Sequence, residues 1–177
     1  MSSIEDRIER VLYTQEELDG RVRELGGRIA RDLRGSAPVM VCVLRGACVF
    51  FADLVRAVDL PVELDFMAVS SYGDSSVSSG SLRVLKDLST DIRGRDVVVV
   101  EDILDTGLTL GRITEMLRAR GPRSLSTAVL LRKKPDAHAD YVGFECPLEF
   151  VVGYGLDYAQ SYRNLPYIGV LKPSAIA

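Results

Sequence analysis

The chain has 177 residues and carries 22 Lys and Arg against 25 Asp and Glu, a formal net charge of −3, with 47% hydrophobic and 27% charged residues. These are the proportions of an ordinary globular domain, long enough to enclose its own core without staples. No apolar run approaches the roughly 18 residues of a membrane span, and the opening MSSIEDRIER carries charges where a secretory signal needs an apolar stretch. Cys42, Cys48 and Cys146 are too scattered for a disulfide framework or a zinc site. Cys42, inside an apolar run, is expected to be a buried thiol. The expectation is a cytoplasmic protein with no membrane partner. The acidic balance also argues against a nucleic-acid partner, which calls for a basic footprint.

Helix-like and strand-like segments alternate, which predicts an α/β fold with a mostly parallel sheet flanked by helices. Thr14-Gln15-Glu16-Glu17 has the form of a capping box, and Leu18, Val22, Leu25, Ile29 and Leu33 follow at spacings of three and four. That is an amphipathic helix, closed by Gly35 and Pro38. Val39–Leu44 is short and wholly apolar, as suits a strand covered on both faces. Arg45-Gly46 punctuates it before a helix over 47–58, and a second strand is predicted over 62–70. Residues 71–81 (SYGDSSVSSGS) bury too little apolar surface to offset the entropy of ordering them. They read either as a flexible hairpin tip or as a mobile cover over a site. Leu82–Lys86 is the returning strand. A strand over 96–101 precedes a helix over 109–120, which has Leu110, Ile113 and Leu117 on one face and stops at Gly121-Pro122. A strand over 125–131, a polar loop over 132–140 and short strands over 141–144, 150–154 and 168–171 complete the chain. The lone His138, in the polar loop, is expected at the surface.

Chemistry concentrates in VVVVEDILDTGLTL, residues 97–110. At the carboxyl end of a parallel strand the chain leaves the sheet beside the usual ligand crevice. The turn at Asp105, Thr106, Gly107 and Thr109 offers backbone N–H groups and the positive end of a helix dipole to an anion. This is a phosphate cup. Glu101 and Asp102 are acceptors only, suited to sugar hydroxyls or to hydrated Mg²⁺. The plainer alternative is a solvated acidic turn with Asp105 or Thr106 at the helix cap.

This stretch resembles the phosphoribosyl pyrophosphate-binding signature of the type I phosphoribosyltransferases. Leu44-Arg45-Gly46, Ser71-Tyr72, Leu130-Leu131-Arg132-Lys133, and the segment from Phe150 to Tyr158 with Arg163 narrow the likeness to the hypoxanthine-guanine phosphoribosyltransferase family, over about residues 10–172. The resemblance implies a single domain over 1–177. Its core would span about 35–145, its small hood about 1–14 and 146–177, and its mobile loop 71–81.

The resemblance also implies an enzyme of purine salvage. Such enzymes join a 6-oxopurine to ribose 5-phosphate from 5-phosphoribosyl 1-pyrophosphate, require Mg²⁺, and release pyrophosphate. Asp105 then matches the general base at the purine N7, and Glu101 and Asp102 the acids at the ribose hydroxyls and metal. Residues Asp105, Thr106, Gly107, Leu108 and Thr109 match the 5-phosphate cup, with Leu108 standing where some relatives carry a polar or basic residue. Leu44, Arg45 and Gly46, whose first pair corresponds to a cis peptide, match the pyrophosphate loop, together with Ser71, Tyr72 and Arg163. Arg45 replaces a lysine found in many relatives. Lys133, with Lys134 as the alternative one residue on, matches the donor to the purine oxygen. Phe150 matches the stacking aromatic, Val151 the backbone reader of the base edge, and Asp157 an acid near a second Mg²⁺ and the purine. For Phe150 and Val151 ordinary strand core is the alternative.

By analogy the chain is expected to form a homodimer or homotetramer. A relative preferring xanthine, and a nucleotide-binding and RNA-binding regulator on the same fold, are the competing readings. The net acidity argues against the second.

Overall fold

The computed structural model describes residues 5–71 and 82–176. Strand β1 (Ile8–Tyr13) leads into helix α1 (Gln15–Asp32). The Thr14 hydroxyl accepts from the Glu17 N–H while the Thr14 N–H donates to the Glu17 carboxylate at 2.8 Å, completing the capping box. Leu18, Val22, Leu25 and Ile29 form the buried stripe that the three-and-four spacing predicts. There follow β2 (Val39–Leu44), α2 (Cys48–Ala57), β3 (Glu63–Ser71), β4 (Leu82–Lys86), β5 (Asp96–Leu104), α3 (Leu108–Arg118), β6 (Ser124–Arg132), β7 (Tyr141–Glu145), β8 (Val151–Val152) and β9 (Ile168–Leu171).

The main sheet runs β4-β3-β2-β5-β6-β7, parallel throughout except for the edge strand β4. Its two middle strands carry unbroken apolar runs, Val39–Leu44 in β2 and 97–100 in β5, because helices cover both faces. Met40, Cys42, Val98 and Val100 point to one side, into a core completed by α1 and α2. Val39, Val41, Val97 and Val99 point to the other, where they meet Leu110, Ile113 and Leu117 of α3. Burial pushes the Cys42 thiol up to about 12, as befits an inert core residue. From β2 the chain winds outward to β3, and from β5 it winds the opposite way to β6 and β7. The carboxyl ends of β2 and β5 therefore form a switch point, the usual ligand crevice of such sheets.

A second, antiparallel sheet joins β1, β9 and β8. Its strand β1 escaped the sequence reading because Glu9 and Arg10 interrupt the apolar pattern and half of the strand is exposed. The strand expected over 150–154 shrinks to Val151–Val152, since the positive φ values at Gly153, Tyr154 and Gly155 turn the chain away. Conversely, β5 runs to Leu104 rather than 101, held by pairing of Ile103 with Leu131 and of Leu104 with Arg132. Ser71 and Leu82 pair across the β3–β4 hairpin. The loop reading at 71–81, with Tyr72, otherwise lies outside the described residues. Among those residues, no helix is long and apolar enough to cross a membrane.

At the amino end of the sheet, Asp96 is buried and accepts from Arg123 Nε at 2.9 Å and from Ser124 Oγ at 2.7 Å, with Arg123 Nη2 closing the fork. The guanidinium holds its carboxyl well below the usual carboxylate range, against the opposing effect of burial. A depressed folded-state value gives stability that is present above the unfolded pKa and lost as pH falls toward the folded one. Asp96→Asn is therefore expected to cost about 1–3 kcal/mol at pH 7. The deficit should shrink steadily below about pH 4, as read by urea denaturation across pH; a deficit independent of pH would refute the assignment.

Candidate active site

The cleft at the switch point has a volume of about 360 Å³ and collects residues from three segments. Leu44, Arg45 and Gly46 leave β2, the stretch from Glu101 to Asp105 leaves β5, and Asp157 and Arg163 reach in from the loop after β8. Thr106, Gly107 and Thr109 complete one wall. Glycine is required where the first two segments meet. A Cβ on Gly46 would lie 1.5 Å from Asp102 Oδ2, so the carboxylate rests directly on the backbone. On its other side the Gly46 carbonyl would lie 2.2 Å from a Cβ on Gly155, whose φ of +102° also calls for glycine.

The acid pair is unusual in its environment. Glu101 Oε2 is buried with no hydrogen-bond partner among the described residues. Burial, and then the adjacent Asp102 charge, push Glu101 well above the ordinary carboxylate range. Asp102 is also raised by burial, with the Ile103 N–H, which donates to Oδ1 at 2.7 Å, working the other way. Two carboxyl groups kept together this way ask for a cation or for hydroxyl donors.

Downstream, Gly107 caps α3 with φ +77° and contributes no side-chain hydrogen bond. The first-turn N–H groups of the helix have no intrahelical acceptors by geometry; that of Leu108 donates to Thr106 Oγ1 at 3.4 Å, and exposed Asp105, Thr106 and Thr109 line the cleft beside the helix start. Leu108 is 69% exposed and does not line the cleft, so an apolar side chain there leaves the cleft wall unchanged. The Leu44–Arg45 peptide is cis. Arg45 Nη1 donates to Gln160 Oε1 at 3.2 Å. Arg163 Nη2 pairs with Asp157 Oδ1 at 2.7 Å, and the Gln160 N–H holds the other carboxylate oxygen at 2.8 Å.

Lys133, Phe150 and Val151 do not line this cleft. They stand next to it. The Lys133 N–H donates to the Leu104 carbonyl at 2.8 Å, which sets Lys133 beside Asp105 at neighbouring strand ends. Lys133 is half-buried with its charge felt by the Cys146 thiol, whereas Lys134 is exposed and Arg132 is engaged by Glu145. Phe150 is 41% exposed and meets Tyr158 edge-on at 5.3 Å, next in sequence to Asp157, so it is not core. Val151 is buried and paired with Val170. His138 is exposed. The sequence reading did not single out Gly155 or Tyr154, although the Gly-Tyr-Gly run at 153–155 was a visible signal of an unusual backbone.

A parallel sheet whose switch point carries an anion-binding turn, an acid pair and a paired arginine defines a phosphate-ester-binding α/β protein. The phosphoribosyl transferase domain matches residues 12–159. The hypoxanthine-guanine phosphoribosyltransferase of Bacillus subtilis is 51% identical over 94% of this chain and 95% of its own. Its Mycobacterium tuberculosis counterpart is 51% identical over 94% of this chain and 87% of its own. The crystal structure of a hypoxanthine phosphoribosyltransferase from Staphylococcus aureus superposes with a TM-score of 0.94 at 44% identity, covering 100% of this chain and 99% of that one. The chain therefore belongs to the phosphoribosyl transferase family, among its hypoxanthine-guanine phosphoribosyltransferases.

The two close approaches differ in what can yield. Asp102 can swing its carboxylate aside for a methyl on Gly46, whereas Gly155 faces a backbone carbonyl and sits at positive φ. Gly155→Ala is expected to destabilise by about 1–3 kcal/mol or more, and Gly46→Ala by less. Urea denaturation of both variants checks the order.

Proposed function

We propose that the chain transfers ribose 5-phosphate from 5-phosphoribosyl 1-pyrophosphate to hypoxanthine or guanine, giving IMP or GMP and pyrophosphate in purine salvage. The observation that carries this reading is the meeting, in one cleft, of the phosphate turn, the acid pair and the Leu44–Gly46 segment. The first-turn N–H groups of α3 and the Thr106 and Thr109 hydroxyls hold the 5-phosphate. Glu101 and Asp102 hold the ribose hydroxyls. Backbone N–H groups around Arg45 and Gly46, with Arg163 and the Ser71-Tyr72 segment, receive the pyrophosphate as it leaves the anomeric carbon. Leaving-group departure builds positive charge on the sugar, which the nearby carboxylates stabilise.

Asp105, exposed at the end of β5, is placed to take the proton from the purine N7 as the base attacks. Lys133 donates to the 6-oxygen, which selects oxopurines over adenine, and Phe150 offers a ring face to the base with the Val151 backbone at its edge. The acid pair fits Mg²⁺: the buried Glu101 Oε2, without a hydrogen-bond partner among the described residues, and the adjacent Asp102 would offer it hard oxygen ligands. When bound, the ion would neutralise the phosphates. Asp157, across the cleft, is the further acid on that side. The cover at 71–81, a cytoplasmic setting and a homo-oligomer belong to the same reading.

Nucleotide formation followed by chromatography, with Mg²⁺, phosphoribosyl pyrophosphate and hypoxanthine, guanine, xanthine, adenine or uracil, tests it. IMP and GMP that vanish with EDTA are expected; no product from any base would overturn the reading. Asp105→Asn is expected to lower kcat by about 10²–10⁴ while the KM for phosphoribosyl pyrophosphate stays within a few fold, and equal turnover would remove its role as base. Lys133→Ala should raise the hypoxanthine KM about tenfold. An effect confined to Lys134→Ala would move the assignment by one residue.

A further inference from the structure

Asp157 and Arg163 reach the cleft from a loop with an uncommon backbone. The φ values are +49° at Tyr154, +50° at Ala159, +64° at Gln160 and +77° at Tyr162. Left-handed residues other than glycine persist only where their surroundings over-determine them. Part of the support is internal. The Tyr154 N–H donates to the Leu165 carbonyl at 2.9 Å, the Gly155 N–H to the Arg163 carbonyl at 3.0 Å, and Arg163 Nη1 returns to the Gly155 carbonyl at 2.7 Å. Such bonds set the loop's shape but not its place on the rest of the molecule.

Its place is set on α2. The Tyr154 ring is buried in the core beneath α1 and α2, and its hydroxyl donates to Asp53 Oδ2 at 2.6 Å. Asp53 belongs to the helix that starts immediately after Gly46-Ala47, where the Cys48 N–H donates back to the Arg45 carbonyl at 3.2 Å. Its other oxygen lies 3.5 Å from Arg56 Nη1. A side-chain hydrogen bond thus ties the arginine-bearing loop to the helix that carries the 44–46 segment. Neither Tyr154 nor Asp53 lines the cleft. Both border a separate hollow of about 260 Å³, and Arg163 forms part of the wall of both spaces. The Gly155–Gly46 approach and the Arg45–Gln160 hydrogen bond seat the front of the loop, and at its back the Tyr154–Asp53 hydrogen bond adds a directional tie to α2 that packing alone does not supply.

Resting on the transferase reading, we propose that Tyr154 and Asp53 are positioning residues for pyrophosphate: their hydrogen bond holds residues 153–163 in register with Leu44-Arg45-Gly46, so that Arg163 meets the leaving group. They act through the loop and touch no substrate.

Steady-state kinetics on the full chain provide the test. Tyr154→Phe keeps the ring and removes the hydroxyl. It is expected to raise the KM for phosphoribosyl pyrophosphate about tenfold while leaving the KM for hypoxanthine within about twofold. Asp53→Ala should match it, the double variant should add nothing further, and Asp53→Asn, which keeps an acceptor oxygen, should recover most of the loss. An unchanged KM for phosphoribosyl pyrophosphate in Tyr154→Phe and Asp53→Ala would overturn the proposal. So would a parallel rise of both KM values accompanied by a fall in melting temperature, the mark of a merely structural bond. Should Tyr154→Phe fail to fold, the comparison of Asp53→Ala with Asp53→Asn decides alone. A wild-type chain that forms no nucleotide removes the transferase reading and this role with it; an active wild type with unmoved variants removes only the role.

Discussion

Everything at the cleft depends on how closely three segments approach at Gly46. Asp102 rests its carboxylate on one side of that residue and Gly155 rests its backbone on the other. No side chain larger than hydrogen fits either contact without displacing something. This stacked arrangement fixes the distance between the carboxyl end of β5, the segment after β2 and the loop after β8. Groups that must act on one small substrate need placement within about half an ångström. Here the Gly155–Gly46 contact is backbone on backbone, which has few ways to relax, and the Asp102 contact is a single short carboxylate rather than a long side chain.

The sheet supplies the coarse frame. Because β2 and β5 are buried on both faces, their register is pinned by apolar packing along the whole strand, and their carboxyl ends are delivered together at the switch point. The pairing of β5 with β6 then carries the frame one strand further, placing Lys133 beside Asp105. The smaller sheet contributes differently. Its strand β8 is only two residues long, and the chain leaves it through a run of positive φ angles into the loop that bears Asp157 and Arg163. Rigid scaffold and specialised loop are thus separated, with the loop docked onto α2 at its back.

Much of this was legible in the sequence, for physical reasons that differ from place to place. The central strands announced themselves because burial on both faces demands unbroken apolar runs, and α1 because a capping box and a three-and-four stripe have few other uses. The acid pair and phosphate turn were legible as local chemistry on one continuous segment. What was hidden is what depends on the fold. Strand β1 pairs through its backbone while exposing charged side chains, so its pattern carried no period. The end of β5 was placed too early, at Glu101, because the polar Asp102 looks like the start of the turn until β6 is known to pair beside the residues that follow. The fit of Gly155 onto Gly46, and the reach of Tyr154 to Asp53 across 101 positions, are long-range facts that no window of sequence contains.

The electrostatics of the cleft impose a further constraint on how it works. Among the described residues, Glu101, Asp102, Asp105 and Asp157 line it against two cationic residues, Arg45 and Arg163, and Arg163 already answers the Asp157 carboxylate and the Gly155 carbonyl. A substrate bearing a phosphate and a pyrophosphate is a polyanion. In a partly buried cleft its repulsion from carboxylates is only weakly screened. The lining side chains cannot balance that charge by themselves. On the proposed reading the anionic parts are met by groups that are not side-chain cations: the N–H groups at the start of α3, those around Arg45 and Gly46, and a divalent ion that would arrive with the phosphates. This explains why phosphate sites built on backbone are combined with a buried acid pair. In that reading the backbone donors would recognise the anion without adding fixed charge, which would leave the acid pair free to hold the cation and the ribose.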